Sequence, residues 1–133
     1  MLPGEEYELR RKNFIEKSRH FFGFLCDEFG YSDPAHSFYE QANGTIISDS
    51  LEYSNASLDR LIVLYNAYHP NDYGFEVQFF RPSISVAHAD RVMAHYLLKE
   101  DQDIEQTYLE DAARLVREKY LDVISGRGWF DSI

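Results

Sequence analysis

Apolar positions change their spacing twice along the chain, and each change marks a change of element. From Glu5 to Phe29 the residues Tyr7, Phe14, Ser18, Phe21, Phe22, Leu25 and Phe29 recur at helical intervals, which predicts one amphipathic helix. Gly30 is placed to end it, and Ser32-Asp33-Pro34 opens a loop, because a proline drives the residue before it out of the α region.

Between Phe38 and Phe80 the period shortens to that of strands. Ala42-Asn43-Gly44, set between Phe38-Tyr39 and Ile46-Ile47, reads as a hairpin turn rich in residues that accept positive φ. A second turn is predicted from His69 to Gly74, separating the apolar run Leu61 to Tyr65 from the alternating Phe75 to Phe79. Ser50 to Tyr53 extends the strand begun at Thr45, although Ser and Asp interrupt its apolar face and suggest a bulge or an edge.

Beyond Arg81-Pro82 the spacing returns to helical. Val86, Met93 and Leu97, joined by Val92 and Tyr96, predict a helix from about Val86 to Leu98, and a polar break follows at Lys99 to Asp103. Ile104, Tyr108, Leu109, Ala112, Leu115, Val116, Tyr120 and Val123 then trace the face of a further helix. Its acids lie early and Arg114, Arg117 and Lys119 late, as the helix dipole favours. Ser125-Gly126-Arg127-Gly128 stops that helix, and Trp129-Phe130 is expected to fold back on the core. The order helix, strands, helices predicts an α+β fold in one domain, residues 1–133: an antiparallel sheet of about four strands, with an N-terminal helix and two C-terminal helices packed against it.

Charge narrows the function. The formal charge is −10, and from His20 to Phe80 nine carboxylates face a single cation, Arg60, leaving −8 on that stretch. Such a balance opposes nucleic acid and anionic membrane, whose binding needs clustered Lys and Arg. Met1 to Arg11 is charged and lacks the roughly 7 to 15 apolar residues of a signal peptide, and no apolar run approaches the ~18 of a membrane span. A cytoplasmic setting follows as the expectation, in keeping with a lone Cys26 that can form no internal disulfide. The sequons at Asn43 and Asn55 then read as turn chemistry.

The chain carries no glycine-rich phosphate loop, no His-Glu-x-x-His and no Gly-x-Ser-x-Gly. No cofactor or metal is expected. His88, Asp90 and His95 are the nearest approach to a metal set, yet two helical turns would separate the histidines by about 10 Å. Cys26 lies beside Asp27 and Glu28, which oppose a reactive thiolate. Those two acids point about 100° apart on a helix and do not pair.

A mixture of acids and tyrosines remains. Asp49, Glu52, Tyr53, Asp59, Tyr68, Asp72, Tyr73 and Glu76 are the candidate partner-binding residues. Tyrosine offers large contact area at low entropy cost, and carboxylates steer a basic partner. The alternative is a solvated acidic rim around a tyrosine-filled core.

Phe22-Gly23-Phe24-Leu25-Cys26-Asp27-Glu28-Phe29-Gly30-Tyr31, then Leu51 to Asn55, then the pair Leu64-Tyr65-Asn66 and Phe75-Glu76-Val77, resemble small bacterial immunity proteins of polymorphic or contact-dependent toxin systems. The resemblance covers roughly Phe21 to Phe80. It implies stoichiometric neutralisation of a cognate toxin domain, often a nuclease, in the producing cell's cytoplasm, and it assigns no residue. The leading expectation is thus a non-enzymatic domain that captures a basic protein. A small enzyme or ligand-binding domain, with an aromatic-lined pocket and one of His36, His69, His88 or His95 as acid or base, is the alternative. Self-association through an uncovered side of Leu61 to Tyr65 is a third.

Overall fold

The computed structural model describes residues 3–68, 74–84 and 91–130. Helices α1 (Pro3–Phe21) and α2 (Phe24–Phe29) precede strands β1 (Ala35–Glu40), β2 (Ile46–Asn55), β3 (Arg60–Ala67), β4 (Gly74–Phe80) and β5 (Val92–Leu98). Helices α3 (Tyr108–Lys119) and α4 (Leu121–Ile124) close the chain, and short 3-10 turns occupy Ala56–Leu58 and Lys99–Asp101. The strands form one antiparallel sheet in chain order, β1-β2-β3-β4-β5. This is the α+β arrangement that the sequence predicts, with five strands where about four were expected.

Side-chain alternation sorts the sheet into two faces. Leu51 and Tyr53 of β2, Ile62 and Leu64 of β3, and Phe75, Val77 and Phe79 of β4 are buried together with Phe14, Phe22 and Leu25 from the N-terminal helical region. Leu109, Ala112, Val116, Val123 and Ile124 from α3 and α4 join the same core, as does Trp129 of the tail. The described helices thus cover one face of the sheet. Ser48, Ser50, Glu52, Leu61, Val63, Tyr65, Glu76, Gln78, Met93 and Tyr96 occupy register positions on the other.

The expected first helix is broken in two. Gly23 sits where an added Cβ would lie 3.2 Å from the carbonyl oxygens of Arg19 and His20, so the chain turns there against its own last helical carbonyls. The turn lets Phe22 and Leu25 both enter the core. Gly30 ends α2 with φ 74°, in the left-handed region that glycine reaches without strain. The β1–β2 hairpin also forms where expected, with Asn43 Oδ1 accepting from the Thr45 N–H at 3.0 Å.

The predicted helix from Val86 to Leu98 is corrected: Val92 to Leu98 is strand β5, and residues 85–90 lie outside the described residues. Its misleading spacing has a structural cause. Val77 pairs with His95 but Gln78 pairs with Met93, so a bulge at Ala94 places Met93 and Tyr96, three apart, on the outer face, while Leu97, which a helix would set beside Met93, lies opposite Phe75 on the covered one. A bulged strand imitates a helix over one turn. The doubtful stretch of β2 resolves the other way, because Ser48 to Asn55 pairs without interruption with β3. The predicted turn of 69–74 falls largely outside the described residues, as do Asp72 and Tyr73.

Candidate functional site

Parity along β2 decides the fate of its acids. Asp49 shares the covered face with Leu51 and Tyr53, whereas Glu52 points the other way. Asp49 is 0% exposed, and a carboxylate so placed must be held by hydrogen bonds and opposite charge. Arg11 of α1 grips it with both prongs, Nε to Oδ2 at 2.9 Å and Nη2 to Oδ1 at 3.1 Å. Nε2 of His36 on β1 donates to Oδ1 at 2.8 Å, and the Tyr68 hydroxyl donates to Oδ2 at 2.8 Å. Burial pushes the Asp49 carboxyl up, but these three donors and the guanidinium charge outweigh it and hold the group below its ordinary range. Burial, then the neighbouring carboxylate, raises the Tyr68 phenol, which stays protonated as a donor.

The strand partner of Asp49 on β3 is Asn66, also buried. Its amide exchanges hydrogen bonds with Gln102, giving at 3.3 Å and receiving at 3.0 Å, and reaches Gln106 at 3.2 Å. Tyr108 of α3 completes the group by donating to Gln106 at 2.7 Å. Asp49 and Asn66 therefore anchor a polar layer that ties α1, the turn after β5 and α3 to one end of the sheet. Both side chains would be costly to bury there without these partners.

At the opposite end a cation is buried. Arg60, 6% exposed, donates to the carbonyls of Val123 at 2.8 Å, Gly128 at 2.6 Å, Asp59 at 3.0 Å and Leu58 at 3.2 Å. Its guanidinium lies 4.9 Å from the centre of the Trp129 ring. The lone cation of the acidic stretch thus serves the fold, docking the tail.

The structure disperses the candidate partner-binding residues. Asp49, Tyr53 and Tyr68 are interior, and no exposed capture surface includes them. Asp59 adopts φ 55° and accepts from the Ser83 N–H at 2.8 Å and from its hydroxyl. The Ser83 hydroxyl, then its N–H, lowers the Asp59 carboxyl below its ordinary range. Glu52 is exposed and Glu76 half-buried on the outer sheet face, where Gln78 Nε2 donates to Glu76 at 3.3 Å. Tyr39 and Tyr96, absent from the candidates, join that face in register with Ser48 and Glu76, and Tyr65 pairs with both Ser50 and Glu76. Strict alternation along β2 separates Glu52 from Asp49 and Tyr53. No local signal reveals that Arg11, 38 residues away, is the partner of Asp49.

Among the described residues, no three His, Cys, Asp or Glu side chains converge as metal ligands. His95 faces Phe75, and burial followed by the Lys119 charge lowers its pKa. Cys26 donates to the Ser32 carbonyl at 3.3 Å, and burial, then Asp33 and Asp27, raises its thiol. A cavity of about 450 Å³ lies beside Tyr68, lined by Glu6, Tyr7, Arg10, Lys99, Glu100 and Gln102. None of its lining residues is a histidine, and Glu6 is already paired with Arg10 at 3.1 Å.

No described helix is long and apolar enough to cross a membrane. The chain matches no protein-family model, no curated protein and no solved structure.

Proposed function

We propose that this domain binds a basic protein through the outer face of its sheet, and that it acts as an immunity protein neutralising a toxin domain, such as a nuclease. One observation carries the reading. The outer face holds Glu52 and Glu76 among Tyr39, Tyr65 and Tyr96, and none of its described register positions carries Lys or Arg. Arg60, the only Lys or Arg within the described strands, is spent on the covered face.

The physics links that surface to a nuclease-like partner. A protein that grips phosphates must display Lys and Arg, so a carboxylate and tyrosine surface can occupy the same groups and exclude substrate. Such charges act before contact and mainly set the encounter rate.

The test is capture of a basic protein with this chain as bait, followed by its association kinetics measured against ionic strength. Reversing Glu52→Lys and Glu76→Lys together is expected to slow association by about tenfold at low salt, with a smaller change in dissociation. Rates and salt slopes equal to those of the unaltered protein would remove the sheet face from the interface.

A further inference from the structure

The two edges of the sheet are finished differently. At β5 the carbonyl of Ala94, the bulge residue, accepts a hydrogen bond from the Tyr120 hydroxyl at 3.0 Å. Val92, Ala94 and Leu97 of that strand are partly buried against the core. At β1 every residue from Ala35 to Glu40 is exposed. Among the described residues, no side chain and no backbone group outside β2 hydrogen-bonds its backbone. In an antiparallel edge strand every second residue directs its N–H and C=O away from the sheet. Proteins ordinarily blunt such an edge with Lys, Pro or a bulge. β1 has no Lys and no Pro, and its one irregularity comes at the last pair, between Tyr39 and Glu40.

The side chains make this edge costlier still to leave in water. Phe38 is 53% and Tyr39 62% exposed, and as neighbours in a strand they project from opposite faces. An added strand would meet an aromatic ring on either side, the cross-strand packing that stabilises a sheet.

Charge selects the occupant. From Phe21 to Asp59 the chain has no Lys or Arg. Exposed carboxylates stand at both ends of the edge: Asp33 just before β1, Glu52 opposite its first residue Ala35, and Glu40 at its end. A second copy pairing antiparallel would set Asp33 and Glu52 of one molecule near Glu40 of the other at each end, a like-charge meeting that disfavours it. A strand with Lys or Arg at its ends meets carboxylates instead.

We propose that β1 is the docking edge, and that an extended, Lys- or Arg-bearing segment of the partner adds to it as a sixth strand. This mode rests on the basic-partner reading and gives it a geometry. Main-chain hydrogen bonds along β1 supply affinity, and the flanking carboxylates and rings supply selectivity.

The experiment places the blocking group in the ligand, so the fold is untouched. The probe is the fluorescent peptide acetyl-Lys-Val-Thr-Val-Thr-Val-Lys-amide, followed by anisotropy and by amide chemical shifts of the full chain. Two companions carry N-methyl groups on alternate residues, in opposite phase, and a third has Glu at both ends. The parent peptide is expected to shift the amides of 35–40 and slow their exchange. One N-methyl phase should weaken binding by at least about tenfold while the other leaves it nearly unchanged, because only one set of N–H groups faces β1. The Glu-ended peptide should bind at least about tenfold more weakly than the parent. Equal binding by the parent and both N-methylated peptides would overturn strand addition yet leave the basic-partner reading standing. Failure of the parent peptide to shift the β1 amides would overturn the edge, with the basic-partner reading judged separately by the kinetics of Glu52→Lys with Glu76→Lys. Concentration-dependent dimers that protect β1 would also overturn the proposal, since the occupant would then be a second copy.

Discussion

Asp49 and Glu52 lie three residues apart on the same strand and have opposite tasks. Asp49 is sealed beneath α1 with both oxygens occupied by Arg11, His36 and Tyr68. Glu52 stands in solvent on the outer face, opposite Val63 on one side and Ala35 on the other. The first is a structural anion whose loss strands its partners, and the second a surface charge that costs the fold almost nothing. Acidic residues in one stretch of sequence thus form two unrelated sets, divided by the pleat of the strand.

The sharpest way to break this comparison is to remove each acid in turn. Asp49→Ala leaves Arg11 largely enclosed with only the exposed Glu8, at 3.7 Å, as a counter-ion, and is expected to cost about 3 to 5 kcal/mol in urea unfolding. Glu52→Ala should change stability by no more than about 0.5 kcal/mol. Equal costs for the two would erase the distinction. The same measurement has a pH signature. The folded Asp49 pKa lies below its unfolded value, so its contribution is complete above that value and disappears as pH falls below about 4 and through the folded pKa. The stability gap between the native protein and Asp49→Asn should therefore shrink on acidification below about pH 4, and a gap that widens there would contradict the assignment.

A smaller effect is expected at Tyr68. Tyr68→Phe removes one donor to a buried charge and should cost about 1.5 to 3 kcal/mol, detectable as a lowered urea midpoint. A neutral result would mean that Arg11 and His36 satisfy Asp49 without it.

An effect of the opposite sign is expected at Tyr53, on the covered face two residues before Asn55. Its hydroxyl is buried and, among the described residues, has no hydrogen-bond partner, so Tyr53→Phe should be neutral or stabilising by up to about 1 kcal/mol. A clear loss of stability would show that this hydroxyl is held after all, and that the covered face contains a second polar anchor.

Much of the fold was legible in the sequence wherever the signal is local. Gly30, the Asn43-Gly44 turn and the stop at Gly126 act through backbone conformation, and the structure gives these glycines φ of 74°, 88° and 80°. The alternation of Phe75, Val77 and Phe79 survives because a half-covered strand has only two directions in which to point. The break at Gly23 and the strand identity of β5 were not legible. One depends on where the core lies beneath Phe22 and Leu25, and the other on a bulge that exists only in register with β4.

The candidate site divides along the same line. Composition and order by themselves determined that the stretch from His20 to Phe80 is acidic, with Arg60 its only Lys or Arg. Its tyrosines lie among β-forming runs, and the elements suit an antiparallel sheet with helices. Tertiary structure alone decided which carboxylates meet solvent. Alternation gives each strand two sides, but it does not say which will be covered until α1 brings Arg11 onto Asp49 and α3 settles beside Phe75 and Phe79. The cost of burying a charge depends on partners distant in the chain, so burial of Asp49 and Arg60 is a property of the assembled core and of no local segment.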